Sequence, residues 1–320
     1  MRHPLRWLAA VVLCAGMAIP VLPAQAKAPG PNGQIVFSRF DPALGDMVTY
    51  AVNPDGSHQQ QLFPGASEFP RWSPDGSQVS LLARCSDGEE DCAVQIVDPD
   101  TGAVRELKSP DPGLETHCGF GWSPDGRRLA CENFGVTDPS RTGIYTIRSS
   151  DGRGLRRITS NPDGDDIPGD FSPDGKRLVF FRMDPSRPTK ANEALFVVNV
   201  DGTGVRRITP WGLRRVDPGR WSPDGKTILF TSRGSLYVVH PDGTGLAKIP
   251  LATRGFRRAS GPDWSPDGTK IVVSLFTKTS SGTEREGIYT ANADGSNVRQ
   301  VTSSPTFDGF PDWGPHPLAT

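Results

Sequence analysis

Trp72-Ser-Pro-Asp-Gly76 recurs along the chain as Trp122-Ser-Pro-Asp-Gly126, Phe171-Ser-Pro-Asp-Gly175, Trp221-Ser-Pro-Asp-Gly225 and Trp264-Ser-Pro-Asp-Gly268, then fades to Trp313-Gly-Pro315. The first residues of these copies are 50, 49, 50, 43 and 49 positions apart. Each copy suits a type I turn place by place: Ser opens it, Pro presets φ, Asp tolerates the third position and Gly closes it. Apolar runs rich in β-branched or aromatic residues follow, such as Ile228-Leu-Phe230 and Ile271-Val-Val273, and read as strands. The motif is therefore a hairpin corner repeated at the period of a supersecondary unit.

A second series of turns interleaves with the first: Asn53-Pro-Asp-Gly56, Asp98-Pro-Asp-Thr-Gly102, Ser150-Asp-Gly152, Val200-Asp-Gly202, Pro241-Asp-Gly243 and Ala293-Asp-Gly295. Strand-like runs stand on both sides, as in Ile144-Tyr-Thr-Ile147 before and Arg156-Arg-Ile-Thr159 after. Each unit thus has four antiparallel strands, a to d, with tight turns at a–b and c–d. The expected fold is all-β, a six-bladed propeller. Asn32-Gly33 and Ile35-Val-Phe37 supply strand b of a first blade that lacks strand a, while Pro311-Asp-Trp-Gly-Pro315 is a strand a with nothing after it. Joining the two closes the ring and leaves no open edge.

Residues 1–26 read as a secretory signal: Arg2 and Arg6, an apolar run from Leu8 to Ile19, and Ala24-Gln-Ala26 as the cleavage site. Residues 27–320 are then expected to be a single propeller domain, exported to the periplasm or the medium and not inserted in the membrane. The formal net charge of −1 argues against nucleic acid as a partner. The pairs Arg156-Arg157 and Arg206-Arg207 lie in outermost strands, where cations discourage edge-to-edge pairing. Export makes disulfides plausible for the four cysteines after the signal. Cys118 and Cys131 are equidistant from the Ser123–Gly126 turn, and Cys85 and Cys92 are symmetric about 87–90, so both pairs are expected to bridge.

The two faces of such a ring differ. One holds short, nearly identical turns; the other holds the unequal segments 108–117, 161–167, 183–193, 210–217, 251–261 and 277–286, where binding residues are usually carried. Four or five places before each Trp or Phe landmark stand Glu68, His117, Asp166, Asp217, Ser260 and Asp308. These either ring a channel mouth, where they would hold a divalent cation such as calcium or receive a basic partner, or cap their own turns. Trp211, Phe256 and Phe307 either stack on a ligand or plug the gap between blades. Asn161-Pro-Asp163-Gly-Asp165 opens like a calcium loop but lacks the Gly and Glu that complete one.

On these residues the chain resembles the TolB-type propellers, whose blades bear Trp-Ser-Pro-Asp-Gly, an aliphatic strand and an Arg-Arg-Ile/Leu-Thr strand. The resemblance covers nearly all of residues 27–320 and implies a periplasmic protein-binding scaffold. It also implies kinship with the propellers of prolyl oligopeptidase-type peptidases and oligogalacturonate lyase. The strands begin close to the cleavage site, so the α/β domain that precedes the propeller in TolB proteins is not expected. No Gly-x-Ser-x-Gly elbow occurs, and His58, His117, His240 and His316 are spread over different parts of the ring. The expected function is non-catalytic binding of a protein or peptide through the loop-rich face, without a cofactor. The alternative is a propeller that binds or cleaves glycans with a divalent metal.

Overall fold

The computed structural model describes residues 30–83, 93–108, 111–214, 216–253, 255–278 and 284–320. It contains six four-stranded antiparallel sheets. Blade 1 takes Ile35–Asp41, Asp46–Val52 and Gln60–Gln61 from the start of the chain and its innermost strand, Asp308–Trp313, from the end. Ile35 stands opposite Trp313 and Arg39 opposite Asp308, so the ring closes as expected. The innermost strands of blades 2 to 6 are Ser67–Trp72, Leu114–Trp122, Asp165–Phe171, Arg220–Trp221 and Phe256–Trp264.

The landmark aromatics explain how the blades stack. Trp72, Trp122, Phe171, Trp221, Trp264 and Trp313 each enter a different apolar cluster, the one shared with the preceding blade. Strand alternation supplies the other side. In Ile228–Ser232, Ile228 and Phe230 face blade 4 while Leu229 faces blade 6, which is why strand b reads as an unbroken apolar run. The Arg-Arg-Ile-Thr strand has its own logic: its Thr hydroxyl accepts the N–H of strand c, Thr159 from Ile144 at 2.9 Å and Thr209 from Leu195 at 2.8 Å.

The largest boundary differences from the sequence reading lie in two blades. The repeat pattern places the start of strand a at Cys118 in blade 3 and at Pro262 in blade 6, but it starts at Leu114 and Phe256. Register shifts between Cys118 and Gly121, and between Ser260 and Asp263, absorb the Gly and Pro residues there and let the ladder continue beyond them. Residues 256–261, assigned to a crossing loop, are therefore strand.

Candidate functional site

Strand a enters from the loop-rich face and runs toward the tight turns. Along it, the charged residue that immediately precedes five of the six landmarks turns to the neighbouring blades. Asp312 Oδ2 accepts the Trp72 N–H at 2.9 Å, and Asp263 Oδ2 accepts the Trp313 N–H at 3.0 Å. Arg220 Nη1 reaches Asp170 Oδ1 at 2.8 Å and the Phe120 carbonyl at 3.2 Å. Arg71 Nη1 stands 3.7 Å from Asp312 Oδ1. Blades 3 to 5 are also drawn together by backbone: a Cβ on Gly169 would lie 2.3 Å from the Gly219 carbonyl oxygen. What remains between Arg71, Trp122, Asp170 and Asp312 is a cavity of about 30 Å3, room for little more than a water. The narrow end of the channel is thus a clasp of paired charges.

Nearer the loop-rich face the lining becomes aromatic. Phe69 meets Phe310 at 4.5 Å and Phe120 at 5.8 Å between ring centroids. Phe307 continues the row from Phe310, and Phe276 from Phe307, at 6.1 and 6.2 Å. All five rings are partly exposed. Phe69 and Phe310 hold φ of 53° and 54°, a left-handed conformation that is an outlier for a bulky residue and that costs free energy.

The expected ring of polar residues divides. Asp308 and Asp166 are buried in forked ion pairs, Asp308 with Arg39 at 2.6 and 2.8 Å and Asp166 with Arg182 at 2.6 Å to both oxygens. Arg39 lies over Phe37 and Tyr50, and Arg182 over Phe180 and Phe196, so both pairs sit against the blade faces. Asp217 accepts from Gly261 N–H at 2.8 Å and from the Thr231 hydroxyl. Burial nonetheless pushes its carboxyl above the ordinary range. His117 Nε2 is 3.0 Å from Glu115 Oε1. Glu68 is half-buried opposite Leu82. Trp211 packs on Phe196, with the Arg187 guanidinium 4.3 Å and that of Arg207 5.6 Å from its ring centre.

Two acids that the sequence reading passed over lie among these groups. Burial pushes Glu132 up to about 8, helped by the charges of Asp165, Asp166 and Glu115. Glu286 also rises to about 8, chiefly through burial, and it feels Asp217 and Asp308; Ser260 donates to its Oε1 at 3.1 Å. The structure therefore connects Asp217 and Asp308 through Glu286, and Asp166 to a separate group around Glu132. No set of three or more His, Cys, Asp or Glu among the described residues is arranged to hold a metal ion. Cys118 and Cys131 stand directly opposite each other and form a disulfide. Cys85, Cys92 and the expected signal segment lie outside the described residues. A cue for the clasp was present in the sequence: an Arg or Asp directly precedes five of the six landmarks.

The model of the TolB beta propeller domain matches residues 48–240. The chain belongs to that family. An uncharacterized protein of Agrobacterium fabrum is 28% identical over 259 residues, 79% of this chain and 63% of that protein. The crystal structure of TolB from Acinetobacter baumannii aligns with a TM-score of 0.64 at 20% identity, covering 88% of this chain and 66% of that one. The chain thus spans just under two thirds of each of these two relatives. Oligogalacturonate lyase from Vibrio parahaemolyticus shares the fold at a TM-score of 0.54 and 15% identity, covering 82% of this chain and 73% of that one. Among the described residues, no helix of this TolB-family chain is long and apolar enough to cross a membrane.

Proposed function

We propose that this protein is an exported propeller of the cell envelope that binds a protein or peptide partner through its loop-rich face and catalyses no reaction. The row of partly exposed phenylalanines at the channel mouth carries this reading, because two of its members stand in left-handed backbone at strand bulges, where the equivalent residue of blade 6 is Gly261 and a glycine would cost less. The polar groups around it favour binding over chemistry: Asp166, Asp308 and His117 already hold partners within the chain. Large amphipathic or aromatic anchors on a rigid rim are what protein interfaces are built around.

The test uses Phe69→Gly/Phe310→Gly. Glycine removes both rings and relieves the left-handed strain, so the variant is expected to fold at least as well as wild type. Immobilised wild type should retain a protein from the envelope fraction that the folded variant does not. Equal retention by both would move the site away from the channel mouth, and retention by neither would remove the scaffold reading.

A further inference from the structure

The ladders of strands b and c in blades 5 and 6 differ in height. Ile228 and Ile271 occupy equivalent places, opposite Trp221 and Trp264. From there the blade 5 ladder ends at Ser232 with Ser235, whereas that of blade 6 runs on to Lys278 with Glu284. Blade 6 therefore stands three residue pairs taller, about 10 Å at 3.3 Å per residue. Its inner strand rises alongside, with Phe256 opposite Thr277 and Arg258 opposite Phe276. The result is a step on the loop-rich face, with blade 5 as floor and blade 6 as wall.

Backbone contacts make the step continuous. The Arg233 N–H donates to the Arg214 carbonyl at 2.9 Å, and Ala259 N–H donates to the Gly234 carbonyl at 2.9 Å. Gly234 lies directly under Arg258, whose Cγ would be 2.8 Å from a Cβ placed there. The Arg258 guanidinium lies 3.6 Å from the centre of the Phe276 ring. Arg214, Arg233, Arg258, Lys278 and Arg285 are all exposed along this floor and wall. Of the acids in the same segments, Asp217 and Glu286 turn inward to Gly261 and Ser260, and Glu284 stands in register with Lys278.

One of these cations sits where local rules disfavour it. Arg233 and Gly234 have φ of 50° and 72° and form the two-residue turn between Ser232 and Ser235. Such a turn prefers Asn, Asp or Gly at its first position. An arginine there defeats the turn's own preference, and its Nη2 donates to the Gly212 carbonyl at 3.2 Å, which holds the exposed guanidinium over the floor.

We propose that the step between blades 5 and 6 is a docking groove for an extended acidic peptide segment of a protein partner. Its carboxylates meet the arginines of floor and wall, where forked guanidinium–carboxylate pairing is strongest. The wall excludes a flat anionic bilayer, which could not reach Arg214 and Arg233 at the foot of the step. This deepens the protein-binding reading above and rests on it.

Fluorescence anisotropy of the purified protein with a labelled (Glu-Ala)n peptide of about twelve residues tests the groove. Arg233→Asn/Arg285→Gln should weaken binding about tenfold, while Lys176→Gln/Lys226→Gln on the turn face should change it less than about twofold. Arg233→Asn suits the turn better, so its melting temperature should not fall and lost binding cannot be ascribed to unfolding. Equal weakening by the two pairs, no binding by wild type, or tighter binding to phosphatidylglycerol vesicles than to the peptide would overturn the proposal. A partner still captured by the Arg233→Asn/Arg285→Gln variant but lost by Phe69→Gly/Phe310→Gly would overturn the groove alone and leave the protein-binding reading standing.

Discussion

Glu132 and Glu286 are carboxyls buried by the blades that carry them, and each holds its proton up to about pH 8 against an ordinary value of 4.5. The folded state therefore binds more protons than the unfolded chain between those values, and stability must fall as pH rises through that window and level off above it. Glu132→Gln/Glu286→Gln keeps the shape and removes the charge. The variant is expected to match wild type near pH 5 and to exceed it near pH 9 by at least about 1.4 kcal/mol per site, which corresponds to a tenfold difference in proton affinity between folded and unfolded chain. Urea midpoints at the two pH values measure this, and an advantage of the same size at both would contradict it. Neither glutamate stands out in the sequence: Glu132 is one acid in a strand read for its apolar residues, and Glu286 ends the segment 277–286 that reads as a loop but is strand from Glu284. Their shift comes first from burial and then from the charges of Asp165, Asp166, Asp217 and Asp308, which other segments of the chain bring near.

Among elements, the Ser-Pro-Asp-Gly corner was the most legible, and its hydrogen bonds explain why. In blade 2, the Ser73 hydroxyl donates to Asp75 Oδ1 at 2.6 Å, accepts the Gln78 N–H at 2.9 Å, and its carbonyl takes the Gly76 N–H at 2.9 Å. The same hydroxyl-to-carboxylate bond recurs at Ser123, Ser172, Ser222 and Ser265. Burial works against the charge on Asp75, yet the bonds from Ser73 and Ser77 outweigh it and hold the carboxyl below its usual range. A motif that satisfies its own groups locally can be read locally. Ser73→Ala and Ser222→Ala should each cost about 1 kcal/mol, the net worth of such a bond, and the two losses should agree within error in thermal unfolding. Unequal losses would mean that the surrounding blade, not the corner, sets the cost. The start of strand a was less legible: its bulges depend on pairing with strand b, so the Gly and Pro residues near 119–121 and 261–262 looked like strand ends. The clasp of Arg71, Asp170, Arg220 and Asp312 was harder still, since each charge finds its partner on another blade.

At the scale of the whole molecule, six similar sheets form one body because the last strand belongs to the first blade. That much followed from counting strands at both ends of the repeat, without knowledge of any contact. The site did not follow from the count, because the repeat describes what the blades share, and the aromatic row and the arginine step lie where they differ. Closure also concentrates energy at one residue. Trp313 is 1% exposed, packs with Ile35, Val272 and Ile288, donates from its indole to the Gly33 carbonyl at 2.9 Å, and takes the Asp263 carboxylate on its backbone N–H. Trp313→Ala should cost roughly 3–5 kcal/mol as a buried truncation. Trp264→Ala, an equivalent landmark in a covalently continuous blade, should cost a similar amount as packing. The two should separate in kinetics: freeing the closing strand bares Ile35–Asp41 as an unpaired edge, so Trp313→Ala is expected to speed unfolding more than Trp264→Ala and to raise the fraction of soluble oligomers on size-exclusion chromatography. Equal unfolding rates and equal monomer fractions for the two variants would show that the closing strand is held no differently from the other five.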